Sequence, residues 1–359
     1  MQPTPVDLAL FAIFLVVLAA PFKVKLVEEN LEAFLFVMGA LAVTVTSRWD
    51  FHLVQTAAEE PVAKGIVPAV LVAGLIFHFG KGSFATMMNG ILRTVPLSGV
   101  IFAVVVILGL LSSVITAIIA SLFLVEIVNL MPIERKDKIN LVIVACFSIG
   151  LGAVLTPLGE PLSTIAVAKL QGPPYNATFW YLFDQLGILI ALGVVACGLF
   201  GVFYVGRKSA SVTEKAYAGE DDGGVKEVLI RTAKVYAFVA ALFLLGAGME
   251  IIINKYFIRV PAEVLFWLNM VSAILDNATL TAAEIAPSMA QAQINAALMG
   301  LLISGGMLIP GNIPNIISAG KLGITSGEWA RLGVPLGLAL NAVYFVAIFF
   351  LGFTPKLGM

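Results

Sequence analysis

Apolar residues fill long runs along this chain, and short clusters of polar, Gly and Pro residues separate them. A helix needs about 20 apolar residues to cross the hydrocarbon of a bilayer, and the runs 7–22, 31–46, 61–79, 180–205, 235–253 and 333–353 are of that order. The short alternating strands of a membrane β-barrel are not seen, so the pattern predicts helices. Residues 84–93 are amphipathic and read as interfacial. Four stretches, 96–131, 139–170, 261–287 and 290–319, are too long for one span, and each must break or turn inside. The whole pattern predicts an all-α integral membrane protein with about 10–12 membrane segments.

Between Gly206 and Lys234 the composition turns polar, charged and Gly-containing. This reads as a linker, 207–234, joining an N-terminal membrane half, 1–206, to a C-terminal half, 235–359. Lys and Arg in short loops mark the cytoplasmic side. The linker carries Arg207, Lys208, Lys215, Lys226, Arg231 and Lys234, and a second basic loop holds Arg135, Lys136 and Lys138. Both are expected inside, with the aromatic cluster Tyr175, Trp180 and Tyr181 at the opposite interface. No Lys or Arg precedes the first apolar run, so a cleaved signal peptide is not expected.

The over-long stretches of the two halves resemble each other. LSSVITAIIAS, 111–121, lies against VSAILDNATLT, 271–281, so that Ser112 meets Ser272, Thr116 meets Asp276 and Ser121 meets Thr281. PLGEPLSTIAVAKL, 157–170, lies against PGNIPNIISAGKL, 310–322, with one gap, so that Pro157 meets Pro310, Glu160 meets Asn312 and Lys169 meets Lys321. Two matches in the same order, each centred on a break, point to a duplicated unit, the first copy spanning about 96–206. Backbone amides cannot go unpaired in lipid, so irregular chain at membrane depth lines a cavity or is buried in protein. Paired interruptions in two halves are the sequence mark of a transporter's binding site. Simple kinks in membrane helices are the plainer alternative.

Composition narrows the function further. Of 359 residues, 60% are hydrophobic and 12% charged, against roughly 25% charged in a soluble domain; mean hydropathy is +1.02. With 21 Lys+Arg and 22 Asp+Glu, the net charge of -1 offers no basic field for nucleic acid. Cys146 and Cys197 sit in apolar runs and read as buried thiols.

An ionisable residue inside a membrane is expensive and rarely idle. Asp276-Asn277, flanked by Ser272 and Thr279, offers hard oxygens suited to Na⁺ or to a proton competing with it. Glu160 lies in TPLGEPLST, where Gly159 and Pro161 prevent a regular helix and Thr156, Ser163 and Thr164 add hydroxyls. Its alternative is a short exposed turn, and that of Asp276 is a helix cap. Asn312 and Asn315 occupy the matching break and either satisfy the freed backbone or coordinate an ion. Thr116 stands opposite Asp276. In a second tier come Glu126, Thr279 and Ser112; Glu126 and Glu284 could also reach the interface from helix ends. Lys169 and Lys321 suit helix C-terminal dipoles or snorkelling better than substrate contact, and His52 and His78 suit satisfied or interfacial roles.

GAVLTPLGEPLSTI, 152–165, resembles the T-P-I-G-D-like segment of NhaD-type sodium–proton antiporters, and SAILDNATLTAA, 272–283, resembles their S-x-x-x-D-N motif. These belong to the ion transporter superfamily, with arsenite-efflux pumps and sodium–dicarboxylate carriers. In size and pattern the chain is more similar to an uncharacterised prokaryotic family of predicted cation transporters. The resemblance covers both repeats. It implies two inverted repeats, each with a re-entrant hairpin and a broken helix, meeting at a midplane ion site. It also implies a homodimer with an elevator-like step, in a prokaryotic inner membrane as a multi-pass protein. The first-half counterpart of Asp-Asn is Thr116-Ala117 here, so the site has one carboxylate fewer, and Glu160 takes the Asp position of the first segment.

The expected function is therefore secondary active cation transport, Na⁺/H⁺ antiport foremost, with inorganic cation and proton as partners and no cofactor other than Na⁺ as the transported ion. A sodium-coupled anion, dicarboxylate or arsenite-type carrier is the alternative, weakened by the lack of Arg between Arg135 and Arg207 and between Arg259 and Arg331. An intramembrane hydrolase is remote: Asp276 has only Asp184 as a possible mate, and no G-x-S-x-G elbow is present. No enzymatic activity is expected.

Overall fold

The computed structural model describes residues 3–63, 94–206, 224–256, 260–275 and 277–352, together with Val67, Pro68, Leu71, Val72, Leu75, Phe79, Thr86 and Gly90. Among these residues the secondary structure is helical, with no strand. Helices α1 (Pro5–Lys23), α2 (Lys25–Glu29), α3 (Leu31–Val45) and α4 (Phe51–Ala63) open the chain. Then follow α5 (Leu97–Ile115), α6 (Ala117–Leu130), α7 (Arg135–Ala153), α8 (Pro161–Lys169) and α9 (Tyr181–Gly201), which runs on into a π turn, Val202–Gly206. The second half holds α10 (Gly224–Tyr256), α11 (Ala262–Leu268) with a 3-10 turn (Asn269–Ala273), and α12 (Asn277–Glu284). It closes with α13 (Gln291–Gly305), α14 (Ile313–Leu322) and α15 (Ser326–Phe345).

Four of these helical stretches are long and apolar enough to cross a bilayer: Leu97–Ile115, Tyr181–Gly206, Val228–Ile252 and Ser326–Phe350. Shorter apolar helices cover Pro5–Pro21, Glu32–Val45, Ala117–Leu130 and Ala262–Ala273. Several apolar helices can thus span a membrane, as a membrane protein requires. Val114, Leu192, Phe203 and Val343 stand exposed on their outer faces, a pattern that suits lipid and penalises water.

Local chemistry sets the helix ends. Thr4 and Asp7 form a capping box at α1, with Pro5 in the first turn, and Thr325 and Glu328 form another at α15. Gly323, at φ 57°, ends α14 in the left-handed conformation. Of the predicted linker, residues 224–234 are helical, since α10 begins at Gly224; residues 207–223 lie outside the described residues. Helix α4 falls where the apolar pattern predicted none, since Glu59 and Glu60 interrupt it. Most of 61–93, with His78, lies outside the described residues, and His52 is exposed on α4.

Two central helices organise the interior. From Lys138 onward every residue of α7 is buried, as is every residue of α13 from Ile294, which is the condition for helices apolar on all sides. Helix α5 packs on α7, and α11 on α13. Beyond the breaks the partners cross over: α6 packs on α14, and α12 on α8. Helix α9 runs antiparallel to α7, with Gly201 facing Val144 and Gly193 facing Leu151. Helix α15 runs parallel to α7: Arg135 pairs with Glu328 at their starts, and Gly337 faces Phe147 farther along. Gly206 sits against Ser98, so α9 ends where α5 begins. Lys138 Nζ donates to Asn129 O at 2.9 Å, so α6 ends where α7 begins. Cys146 and Cys197 are buried free thiols, and Tyr175 and Phe179–Phe183 form an aromatic cluster at the start of α9.

Candidate functional site

The predicted interruptions are real breaks in helices. Residues 96–131 break at Thr116, which ends α5 and begins α7's neighbour α6. Its backbone, at φ 74° and ψ 150°, is strained for a β-branched residue. The break holds because its polar groups find partners: Thr116 Oγ1 accepts from Ile119 N at 3.3 Å, and Ala117 N donates to Gly159 O at 2.8 Å. Gly159 belongs to the second break, between α7 and α8. There Thr156 Oγ1 donates to Ser113 O at 2.5 Å, Ser163 Oγ to Glu160 O at 2.7 Å and Thr164 Oγ1 to Pro157 O at 2.5 Å. The hydroxyl protons of Thr156, Ser163 and Thr164 thus satisfy carbonyls freed by the unwinding.

Matching breaks lie in the second half. Residues 261–287 unwind through the 3-10 turn to Ile274 and Leu275 before α12 starts at Asn277. Residues 290–319 unwind between Gly305 and Ile313. Asn315 Nδ2 donates to Gly305 O at 2.8 Å and to Leu308 O at 2.9 Å, which is the backbone-satisfying role. Its Oδ1, fully buried, has no hydrogen-bond partner among the described residues. The Asn277 side chain lies against Gly305, with neither amide atom partnered there. Asp276 and the side chain of Thr279 lie outside the described residues.

Equivalent positions behave alike. Ser272 Oγ donates to Leu301 O at 2.9 Å, fastening its broken segment to the central helix, and Ser112 Oγ lies 3.0 Å from Ile149 O of its own central helix, with Gly109 O as the nearer acceptor at 2.6 Å. Glu160 and Asn312 are the N-caps of α8 and α14, with nearly the same backbone: φ -157° and ψ 160° against φ -153° and ψ 147°. Gly159 and Gly311 approach the carbonyls of Ala153 and Gly305, too close for any β-carbon.

Three of the breaks meet around one open pocket of about 320 Å³. Thr116, Ala117 and Ile118 line it from α6, Leu158 to Pro161 with Thr164 and Ile165 from α8, and Asn312 and Ile313 from α14. Glu160 is buried, and it sets a carboxylate among the N-terminal ends of three helices, where backbone N–H groups leave partial positive charge. Asn312 Oδ1 accepts from Ile313 N at 2.9 Å. The structure therefore brings Thr116, Glu160, Thr164 and Asn312 to the pocket, while Thr156, Ser163, Asn315, Ser272 and Ser112 stand behind it and hold the backbone.

Chain profiles add one finding. A family described as "Protein of unknown function (DUF1646)" matches residues 7–351. The chain belongs to this family. The DUF1646 match takes in all four breaks and the pocket between them. No curated protein matches the chain. DUF1646 brings no activity with it, so function rests on the chemistry of the site.

Glu126 sits on α6 away from the pocket and bonds Lys321 of α14 at 2.7 Å. Lys169 Nζ donates to Ile285 O at 3.1 Å. Both lysines lie in last helical turns, as expected, but they tie one half to the other. Asn269, Glu284 and Asn341 are buried polar residues to which the motifs gave little or no weight. For Asn269 the signal was present: it stands one turn before Ser272 in an otherwise apolar segment.

The strain at Thr116 makes a prediction. A β-branched residue in that conformation costs about 1–3 kcal/mol, and replacing a Thr cap by Gly loses only about a few tenths. Thr116→Gly should therefore raise the melting temperature in detergent, and a drop would show that the side chain's packing outweighs its strain.

Proposed function

We propose that the protein is a secondary active transporter that exchanges a cation, Na⁺ foremost, for protons. The single observation that carries this is the buried carboxylate of Glu160 in a pocket built from three helix breaks inside an apolar protein. Irregular backbone at such depth is tolerated where it lines a cavity, and broken segments from two halves are how transporters build ion sites.

Supporting the finer architecture, α9 and α15 follow corresponding broken helices yet run in opposite directions past α7. That relation is what two inverted repeats require. Helices α5 and α6 begin and end at one side, with the tip at Thr116 touching Gly159 in the α7–α8 break; α5–α6 is then a re-entrant hairpin and α7–α8 a broken helix. The same roles fall to α11–α12 and α13–α14 in the second half. The resemblance to NhaD-type antiporters supplies the midplane site, the homodimer, the elevator-like step and the inner-membrane setting.

In this scheme Glu160 and Asp276 accept Na⁺ when deprotonated and release it when protonated. Asn277 and Asn315 contribute amide oxygens from the second half. One pH unit supplies about 1.4 kcal/mol per proton, enough for a tenfold cation gradient. The test is transport in reconstituted vesicles with Na⁺, Li⁺, K⁺ and dicarboxylates against an imposed pH gradient. Sodium flux that moves protons, and that Asp276→Asn abolishes, is the expected result; undiminished flux in that variant discards Asp276 as a ligand.

One observation favours a second reading. The pocket lining comes from the N-terminal ends of α6, α8 and α14, and such ends attract anions. A carboxylate substrate would then occupy the pocket with Glu160 protonated, and the cation would only couple. Dicarboxylate uptake that needs Na⁺, without sodium–proton exchange, selects this alternative.

A further inference from the structure

Helices α6 and α14 pack along one another from the pocket outward. Ile118, Leu122 and Glu126 follow at every fourth position on α6, and Ile313, Ile317 and Lys321 do so on α14. Residues so spaced share one face of a helix. Ile118 and Ile313 line the pocket. One turn on, Leu122 and Ile317 are buried and form an apolar cluster with Ile118, Ile313 and, from α10, Val239 and Phe243. One turn farther, Lys321 Nζ donates to Glu126 Oε1 at 2.7 Å, with the two side chains 9% and 21% exposed. Two matched stripes thus form a seam, and helical rise sets the charged pair about 12 Å beyond the isoleucines at the pocket.

The pair lies toward one end of the fold. Helix α6 ends where α7 begins, and Arg135, in the first turn of α7, donates to Gly323 O just past α14 at 3.0 Å. The seam therefore runs from the pocket to that face. Lys169, which the aligned repeats set opposite Lys321, holds the Ile285 carbonyl just past α12 at 3.1 Å. Ala177 N donates to Leu170 O at 2.9 Å, which puts the Lys169 contact at the other end, where α9 starts. Each half thus closes its second broken segment with a lysine that grips the other half.

A cation entering an apolar seam would lose its hydration, so the seam as it stands is shut to ions. A carrier must still open its site to each face in turn. Apolar side chains and a charged pair join α6 to α14 along this line, and helices that keep their own backbone bonds can part there without unfolding. We infer that the α6–α14 seam is the closed gate between the pocket and the face where α7 begins, and that Glu126–Lys321 is its latch. The inference rests on the transport reading above. It adds that α6 swings away from α14, whereas an elevator-like step alone carries both as one body.

Thiol labelling of the full-length protein in lipid nanodiscs tests this without any transport. Ile317→Cys puts a probe inside the seam, and Leu122→Cys puts one on the other wall in case the first variant fails to fold. Native Cys146 and Cys197 are buried thiols. Cys146 touches α14 from the side of α7, 3.4 Å from Ser318 Oγ, so the native thiols report any general loosening. A water-soluble maleimide should label the seam probe faster than either of them. Adding Lys321→Met, which keeps the stem and removes the charge, should raise that rate about tenfold, because losing a hydrogen bond between charged groups shifts an opening equilibrium by that order. A seam probe no faster than the native thiols, or one whose rate ignores Lys321→Met, overturns the gate. No sodium enters the measurement, so a seam that stays shut leaves the sodium reading standing, and loss of sodium binding alone leaves the gate standing for another cargo.

Discussion

Replacing Glu160 by Gln should weaken cation binding by about 10- to 100-fold, the equivalent of about 1.5–3 kcal/mol for a contact to a charged group, and should flatten the pH dependence of flux. Gln matches Glu in shape and removes only the charge. The fold should survive, because the Glu160 side chain makes no capping hydrogen bond to α8; the Ser163 hydroxyl bonds its main-chain carbonyl instead. A loss of transport in this variant therefore reports on the pocket. Flux with an unaltered rate and pH profile would make Glu160 a structural residue and move the ion site toward Asp276 and Asn277.

Gly159→Ala should have the largest effect on stability. A β-carbon there would overlap the main-chain carbonyl of Ala153, and backbone has no rotamer by which to give way. The same residue's own carbonyl accepts from Ala117 N at 2.8 Å, so any shift that relieves the overlap pulls on the tip at Thr116. A cost above about 3 kcal/mol belongs to the rare class of mutations that break a special backbone site. Gly172→Ala is the control, since a β-carbon at Gly172 meets nothing within 4 Å. Melting temperatures in detergent separate the two, and equal values would mean that the break adapts freely.

Much of this arrangement was legible in the chain. Stretches 96–131 and 139–170 were too long for single spans, and their breaks fall at Thr116 and around Pro157–Glu160 as the length and the Gly/Pro spacing required. The alignment of Glu160 with Asn312 reappears as two N-caps with one backbone conformation. What the chain could not display is which segments exchange partners. The packing of α6 on α14 joins residues about 190 positions apart and that of α12 on α8 residues about 115 apart, and no local period encodes such contacts. Hydroxyl direction was equally hidden: Ser112, Ser272 and Thr156 read as possible ligands, yet Ser272 and Thr156 give their protons to carbonyls on neighbouring elements, and the Ser112 hydroxyl faces the carbonyls of Gly109 and Ile149. Helix α4 escaped because Glu59, Glu60 and Pro61 break its apolar pattern, while Tyr236 reaches across to its Ala58 carbonyl and fixes it to α10.

Everything functional turns on whether the pocket between α6, α8 and α14 holds a cation in competition with protons. Calorimetric titration of the purified protein with NaCl, in two buffers of different ionisation heat, measures that competition directly. Saturable sodium binding that releases protons, and that weakens by about 10- to 100-fold in Glu160→Gln, is the expected outcome. Sodium binding of equal strength in wild type and variant, or none in either, would contradict a proton–cation exchange site at Glu160.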